Sequence, residues 1–248
     1  MPLRTCGLLQ KVLAWLLPDS GQGCDMNTTT TAFRDALRTQ QSLLAPAEKR
    51  CLIWIASRMP VWINSDHLTA LGLLGMLGTG LSYWWASAHP AGLLLASFWL
   101  MVNWFGDSLD GTLARVRNRL RPRYGFYVDH ICDTFGSLFL LGGLALSGHM
   151  NQNIAFGLLI VYLMLAIEIF LATYTLGNFR ISYWKFSPTE VRILLAIGNL
   201  ALWLHPAASA FGFGLFDIGG IAGIVGMMMM LLNSVRKNAT LLYRAEAL

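Results

Sequence analysis

Charged side chains are scarce in this sequence: Asp, Glu, Lys and Arg make up 12% of 248 residues, about half the share usual in a soluble domain. That shortage excludes a conventional soluble surface. Cysteine is rare too. The four present, Cys6, Cys24, Cys51 and Cys132, make no C-x-x-C pair and no zinc-ligand spacing, which removes zinc-ribbon and thioredoxin-like readings. Cys132 lies beside an acidic stripe and reads as a small buried hydrophobe. The histidines carry no ligand pattern either. His89, His149 and His205 fall away from the acidic stripe, and His130 is turned about 100° from Asp129 on an ideal helix.

What the chain does hold is apolar length: 55% of its residues are apolar. Six apolar stretches stand out, at residues 68–87, 91–115, 128–147, 154–177, 188–204 and 215–235. Each is near the ~20 residues that cross a bilayer. The expected fold is an all-α membrane protein, a six-transmembrane-helix bundle with an N-terminal interfacial amphipathic helix. Residues 1–46 read as a leader, partly disordered, with Met26 as a candidate internal start. Residues 47–63 read as an amphipathic interfacial helix, with Leu52, Trp54 and Ile55 apolar and Glu48, Lys49, Arg50 and Arg58 charged. Residues 64–248 form the bundle. Ser65 or Asp66 is the expected N-cap of the first span, and Gly72, Gly75, Gly78, Gly219 and Gly223 are expected at close helix contacts.

Basic residues give the orientation. Arg115, Arg117, Arg119, Arg121 and Arg123 crowd the second loop, Arg180 and Lys185 the fourth, and Arg236, Lys237 and Arg244 the tail. The odd-numbered loops have none. The positive-inside rule places both termini and the even loops in the cytoplasm, at the inner membrane if the source is bacterial. The net charge of +5 therefore follows topology and suits membrane lipids, with anionic headgroups as partner and no nucleic acid.

Against this background, residues 107–133 (DSLDGTLARVRNRLRPRYGFYVDHICD) are the exception, with four carboxylates at the mouths of two apolar runs. On a helix, Asp107, Asp110, Gly111, Ala114 and Arg115 share one face, and Gly125, Asp129 and Asp133 stripe another. Folding one helix back on the other makes the carboxylates converge, and four like charges in a low-dielectric site call for a cation. All-oxygen ligation suits Mg²⁺ or Mn²⁺, not zinc. The small residues leave room for a ligand, and Arg115 offers a fork for phosphate.

The pattern Asp107-x2-Asp110-Gly111-x2-Ala114-Arg115-x9-Gly125-x3-Asp129-x3-Asp133 resembles the signature of the CDP-alcohol phosphotransferases, integral membrane enzymes of phospholipid synthesis. All eight signature residues are present, and the Arg–Gly spacer, often eight residues in the family, is one longer here. The segment Ser65-Asp66-His67-Leu68-Thr69 resembles the family's P-N-x-L-T with two replacements. The resemblance implies transfer of a substituted phosphate from a CDP-linked lipid or alcohol donor, CDP-diacylglycerol first among them, to an alcohol or phospho-alcohol acceptor, with release of CMP. On this reading Asp107, Asp110 and Asp129 hold the metal and Asp133 shares the site. Asp133 acts as general base by that resemblance. The nucleotide falls to Asp107, Asp110, Gly111, Ala114, Arg115 and Gly125. Arg180, Lys185 and Arg192 are candidates for the acceptor, and a homodimer is expected. Glu168, alone at membrane depth, reads either as functional or as a protonated packing residue.

Three rival readings compete with this one. An Asp-rich membrane prenyltransferase needs a second, distant Asp-rich motif and more spans. A transporter with intramembrane carboxylates is expected to show broken half-helices. A non-catalytic lipid-binding protein has no need of four carboxylates.

Overall fold

The computed structural model describes residues 45–176, 188–206, 209–210 and 212–246. The expected leader, apart from its last two residues, lies outside them, as do Arg180 and Lys185. Among the described residues the chain is helical but for a two-residue hairpin, Ser209–Ala210 (β1) with Phe213–Gly214 (β2). The helices are α1 (Ala45–Arg58), α2 (Ser65–Ala86), α3 (Ala91–Val116), α4 (Pro122–Leu146), α5 (Gln152–Leu176), α6 (Pro188–Leu204) and α7 (Leu215–Ala245).

Helix α2 packs between α3 and α4, and the sequence explains how closely. A Cβ added at Gly75 would sit 2.6 Å from the Asn103 backbone nitrogen on α3, and one at Gly80 2.2 Å from the Phe139 carbonyl oxygen on α4. Backbones therefore meet directly on both sides of α2, as small residues permit. Gly219 has nothing within 4 Å of such a Cβ. That expected contact is not made; α7 comes close to α5 at Gly223, where a Cβ would come 3.0 Å from Leu158, and closer still at Gly220, where one would come 2.6 Å from Ile154.

The end of α3 has a defined cause. Asn118 takes a left-handed φ of 52°. The Arg119 N–H donates to the Ala114 carbonyl at 2.9 Å and the Asn118 N–H to that of Arg115 at 3.1 Å. This is a Schellman ending with Asn at the left-handed position. Pro122 then opens α4 at its first turn, where a missing N–H does no harm. The short return brings α3 and α4 back side by side.

Helix boundaries differ from hydropathy in informative ways. Helix α4 begins at Pro122, six residues before the apolar stretch, and α7 runs on to Ala245, past Arg236 and Lys237. Polar residues end an apolar stretch without ending a helix. The cap of α2 is Asn64, not Ser65 or Asp66: the His67 Nδ1 accepts from the Asn64 N–H at 3.2 Å, leaving the Ser65 hydroxyl for a partner on another helix.

Two apolar clusters hold the bundle. At the end away from Asp107, Tyr83, Leu93, Leu144, Leu159 and Phe216 pack together. At the other end Leu52 and Ala56 of α1 meet Leu68, Leu109 and Leu113. Glu48 also ties α1 down, accepting from the Trp104 Nε1 at 2.8 Å and the Thr189 hydroxyl at 3.0 Å. Among the described residues two helices, α5 and α7, are long and apolar enough to cross a membrane, yet only 22% and 17% of their most apolar windows are buried. They are not the hidden core helices of a soluble protein, since their apolar faces point outward.

Candidate active site

The site forms where the carboxylate face of α3 meets that of α4. Asp107 lies nine residues before the end of α3, and Asp129 and Asp133 one turn apart near the start of α4. The tight return at Asn118 makes these stretches neighbours. Ligand oxygens of Asp107, Asp129 and Asp133 all lie within 4.8 Å of one another. Opposite oxygens around one Mg²⁺ stand about 4.2 Å apart, from a metal–oxygen length of about 2.1 Å. Small side-chain rotations close that difference, so the donor set fits a hard divalent ion. Carboxylates alone, without sulfur or imidazole, supply it.

Asp110 lines the same cavity but stands outside the group of three. Its Oδ2 accepts from the Thr69 hydroxyl at 2.7 Å, and its backbone carbonyl accepts from the Ser65 hydroxyl at 2.9 Å. The start of α2 thus grips α3 at the signature itself. Thr69 belongs to the segment flagged in the sequence, but only the packing of α2 on α3 gives it a partner.

Arg192, one turn into α6, reaches across to Asp107, with Nη2 2.6 Å from Oδ2. It is the one expected acceptor-site residue among the described residues, and the fold delivers it to the cavity. The pair is largely enclosed, with side-chain exposures of 15% and 28%, so water screens it weakly. The cavity encloses about 350 Å³ with its open mouth. Apolar Leu73, Met76 and Gly136 line it beside the polar groups, and Asn103, absent from the sequence-based candidates, is also in its wall.

The two signature glycines keep space clear. A Cβ at Gly125 would meet nothing within 4 Å, and one at Gly111 only the Arg115 Nη2, at 3.6 Å. Arg115 is exposed and folds back over Gly111. Its neighbour Arg117 is a structural brace. The Arg117 guanidinium donates to the carbonyls of Met59 at 3.0 Å, Pro60 at 2.9 Å and Ile63, and so fixes the turn between α1 and α2. Arg121 pairs with Asp66. Two arginines credited to topology therefore also hold local structure.

The residues set aside behave as packing groups. His130 has its Nδ1 2.7 Å from the Phe126 carbonyl, and its ring lies against Phe126 and Phe170. Glu168 accepts through Oε1 from Ser234 at 2.8 Å and Asn238 at 2.7 Å, tying α5 to α7. This favours its packing reading.

Comparison with known proteins gives the family. A sequence model of the CDP-alcohol phosphatidyltransferase family matches residues 63–237. Cholinephosphotransferase 1 of Gallus gallus is 28% identical over 167 residues, covering 63% of this chain and 48% of that protein. Archaetidylinositol phosphate synthase of Pyrococcus horikoshii is 30% identical over 94 residues, 38% of this chain and 47% of that protein. The chain thus spans about half the length of these curated relatives. Among solved structures, Mycobacterium tuberculosis phosphatidylinositol phosphate synthase (PgsA1) with CDP-DAG bound is similar in fold, with a TM-score of 0.50 and 19% identity over 78% of this chain and 92% of that one.

Proposed function

The chain belongs to the CDP-alcohol phosphatidyltransferase family, and from that premise we propose that it transfers a substituted phosphate from a CDP-linked donor, with CDP-diacylglycerol preferred, to an alcohol acceptor and releases CMP. The observation that carries this reading is the meeting of Asp107, Asp129 and Asp133 within 4.8 Å at a cavity that also holds Arg192.

Asp107 and Asp129 would hold Mg²⁺ or Mn²⁺ together with Asp110, which Thr69 steadies beside them, and Asp133 stands close enough to share the site. A divalent ion at these oxygens neutralises charge on a pyrophosphate and improves CMP as leaving group. The open space at Gly111 and Gly125 admits the nucleotide close to the backbone, beside Ala114, and exposed Arg115 takes its phosphates. Asp133, the most exposed of the three carboxylates, receives the proton of the attacking hydroxyl. Arg192 orients a negatively charged acceptor and restrains Asp107. Arg180 and Lys185 remain acceptor-site candidates on sequence grounds.

The same reading places α2 through α7 across a membrane, with α1 in the interface. The outward apolar faces of α5 and α7 support it, as do Ile53 and Trp54, exposed on α1 opposite its buried Leu52. The distribution of arginines puts the cavity on the cytoplasmic side.

The test separates metal-holding from proton transfer. Asp133→Asn should keep metal and donor affinity but lose turnover by ~10²–10⁴-fold, because an amide accepts hydrogen bonds but not the proton. Asp107→Asn should weaken metal binding first. Calorimetry on detergent-purified protein, run alongside CMP release, reads both. If Asp133→Asn loses metal as severely as Asp107→Asn, Asp133 is a ligand and not the base. If the wild-type protein releases no CMP from any CDP-linked donor, the transferase reading fails.

A further inference from the structure

Lys49, Arg50 and Arg58 of α1 are exposed, as the charged residues of an interfacial helix should be, but Glu48 is half-buried. It shares the inward stripe of Leu52 and Ala56, which are buried against Leu68, Leu109 and Leu113. There one oxygen, Glu48 Oε1, accepts from two other helices: from the Trp104 Nε1 of α3 at 2.8 Å and from the Thr189 hydroxyl of α6 at 3.0 Å. The mechanism proposed above makes no use of this carboxylate.

The two donors sit beside the site. Trp104 lies one turn before Asp107 on α3, and Thr189 one turn before Arg192 on α6, so each neighbours one member of the Asp107–Arg192 pair. Helices α3 and α6 are thus joined twice at this level, once directly and once through α1. They are not held alike. Helix α3 is fixed on α2 without help from α1. Asn103 Nδ2 donates to the Gly72 carbonyl at 2.9 Å, leaving its own Oδ1 buried and unpaired, and the Ser65 hydroxyl donates to the Asp110 carbonyl at 2.9 Å. Helix α6 is tied to α3 by Asn199, two turns past Arg192, through the Ser97 hydroxyl at 3.0 Å. Its first turn is the part that Glu48 holds. The ion pair fixes that turn poorly, because a long guanidinium chain can change rotamers and keep its partner over a range of backbone positions. Threonine is short and stiff, and its hydroxyl meets Glu48 only where the α6 backbone stands in place.

We propose that Glu48 is a positioning residue for the transfer reaction: by accepting from Trp104 and Thr189 at once, it fixes the first turn of α6 and with it the place of Arg192 in the cavity. The inference rests on the transferase reading above. Glu48 contributes an acceptor oxygen, which an indole N–H and a hydroxyl both need, so Glu48→Gln keeps the link while Glu48→Leu cuts it. Helix α1 then has two working faces. Ile53 and Trp54 point outward and are exposed, while Glu48 points inward as part of the frame of the site.

The experiment measures CMP release by the detergent-purified full chain. CDP-diacylglycerol is tried with glycerol 3-phosphate and with myo-inositol 1-phosphate, CDP-choline with diacylglycerol, and kinetics follow on whichever pair the wild type turns over. Glu48→Leu and Thr189→Val should each raise the acceptor KM by about fivefold, near the loss of one hydrogen bond, with the donor KM and Mn²⁺ affinity close to wild type. The double variant should be no worse than either single one, because both cut the same link. Glu48→Gln should match the wild type, and Arg192→Lys should move the same parameter as Glu48→Leu. If Glu48→Leu does not fold, Thr189→Val reads the link alone, since it leaves α1 bonded to Trp104. A merely structural contact would lower the midpoint of thermal unfolding and leave the acceptor KM of the folded protein unchanged. That result, losses that add in the double variant, or a Glu48→Gln as impaired as Glu48→Leu overturns the proposal while the transferase reading stands. No CMP release with any pair overturns both.

Discussion

At the end of the bundle away from the carboxylates, Tyr83 donates to the Asn199 Oδ1 at 2.9 Å, and the Asn199 Nδ2 donates to the Ser97 hydroxyl at 3.0 Å. Three helices, α2, α3 and α6, are linked by this chain, and both Tyr83 and Asn199 are fully buried. Toward the other end, the same three helices present Thr69, Asp107 and Arg192 to a cavity where like charges crowd and one amide oxygen has no donor. The difference is instructive. Polar groups closed on one another stabilise and orient a bundle, while carboxylates crowded together cost stability that the rest of the scaffold must supply. The first end should matter for stability and the second for chemistry.

The severest way to break that comparison is to remove a carboxylate. Asp129→Asn should reduce metal binding and lower CMP release by at least about 10²-fold, with no large fall in the midpoint of thermal unfolding. A variant that unfolds early would show that this end is structural after all.

A smaller effect should follow at the contact between the start of α2 and the site. Thr69→Val removes the hydroxyl that holds the Asp110 Oδ2 while keeping the side-chain volume. Groups that orient metal-site carboxylates contribute about 10–100-fold to metal affinity. Mn²⁺ titration should therefore show a loss in that range, against near-complete loss for Asp129→Asn. Unaltered affinity would mean that Asp110 needs no support from α2.

The sequence made one part of this site readable and hid the other. Asp107, Asp110, Asp129 and Asp133 could be placed because helical periodicity converts spacing along one chain into a shared face. Arg192 on Asp107 and Thr69 on Asp110 join residues 85 and 41 positions apart, and no periodicity within a helix gives such pairs. Asn103 did leave a signal. It is a polar residue within the apolar run that precedes Asp107, four positions before it and on its face, but the orphaned oxygen is visible only once Gly72 claims the amide. Hydropathy located the helices and misplaced the ends of α4 and α7, because an apolar stretch stops where polar residues begin and backbone hydrogen bonding does not.

The gentlest prediction sharpens the other side of the comparison. Tyr83→Phe deletes one hydroxyl, keeps the ring that meets Phe216 edge-on with centroids 6.2 Å apart, and leaves the Asn199 Oδ1 without its donor. In water-soluble cores such an orphan costs about 1–3 kcal/mol. Within a bundle in detergent or lipid the effect should be nearer ~1 kcal/mol, since partly unfolded helices find other partners and measured intramembrane hydrogen bonds average about 0.6. The midpoint of thermal unfolding should fall by a few degrees (roughly 2–4 °C for about 1 kcal/mol in a chain of this size). Metal affinity and the rate of CMP release by the folded fraction should equal the wild type, because nothing in the Tyr83–Asn199–Ser97 chain touches the carboxylate cavity. Should Tyr83→Phe instead leave unfolding unchanged and slow CMP release, the two ends are coupled, and the division into a stabilising end and a reacting end is wrong.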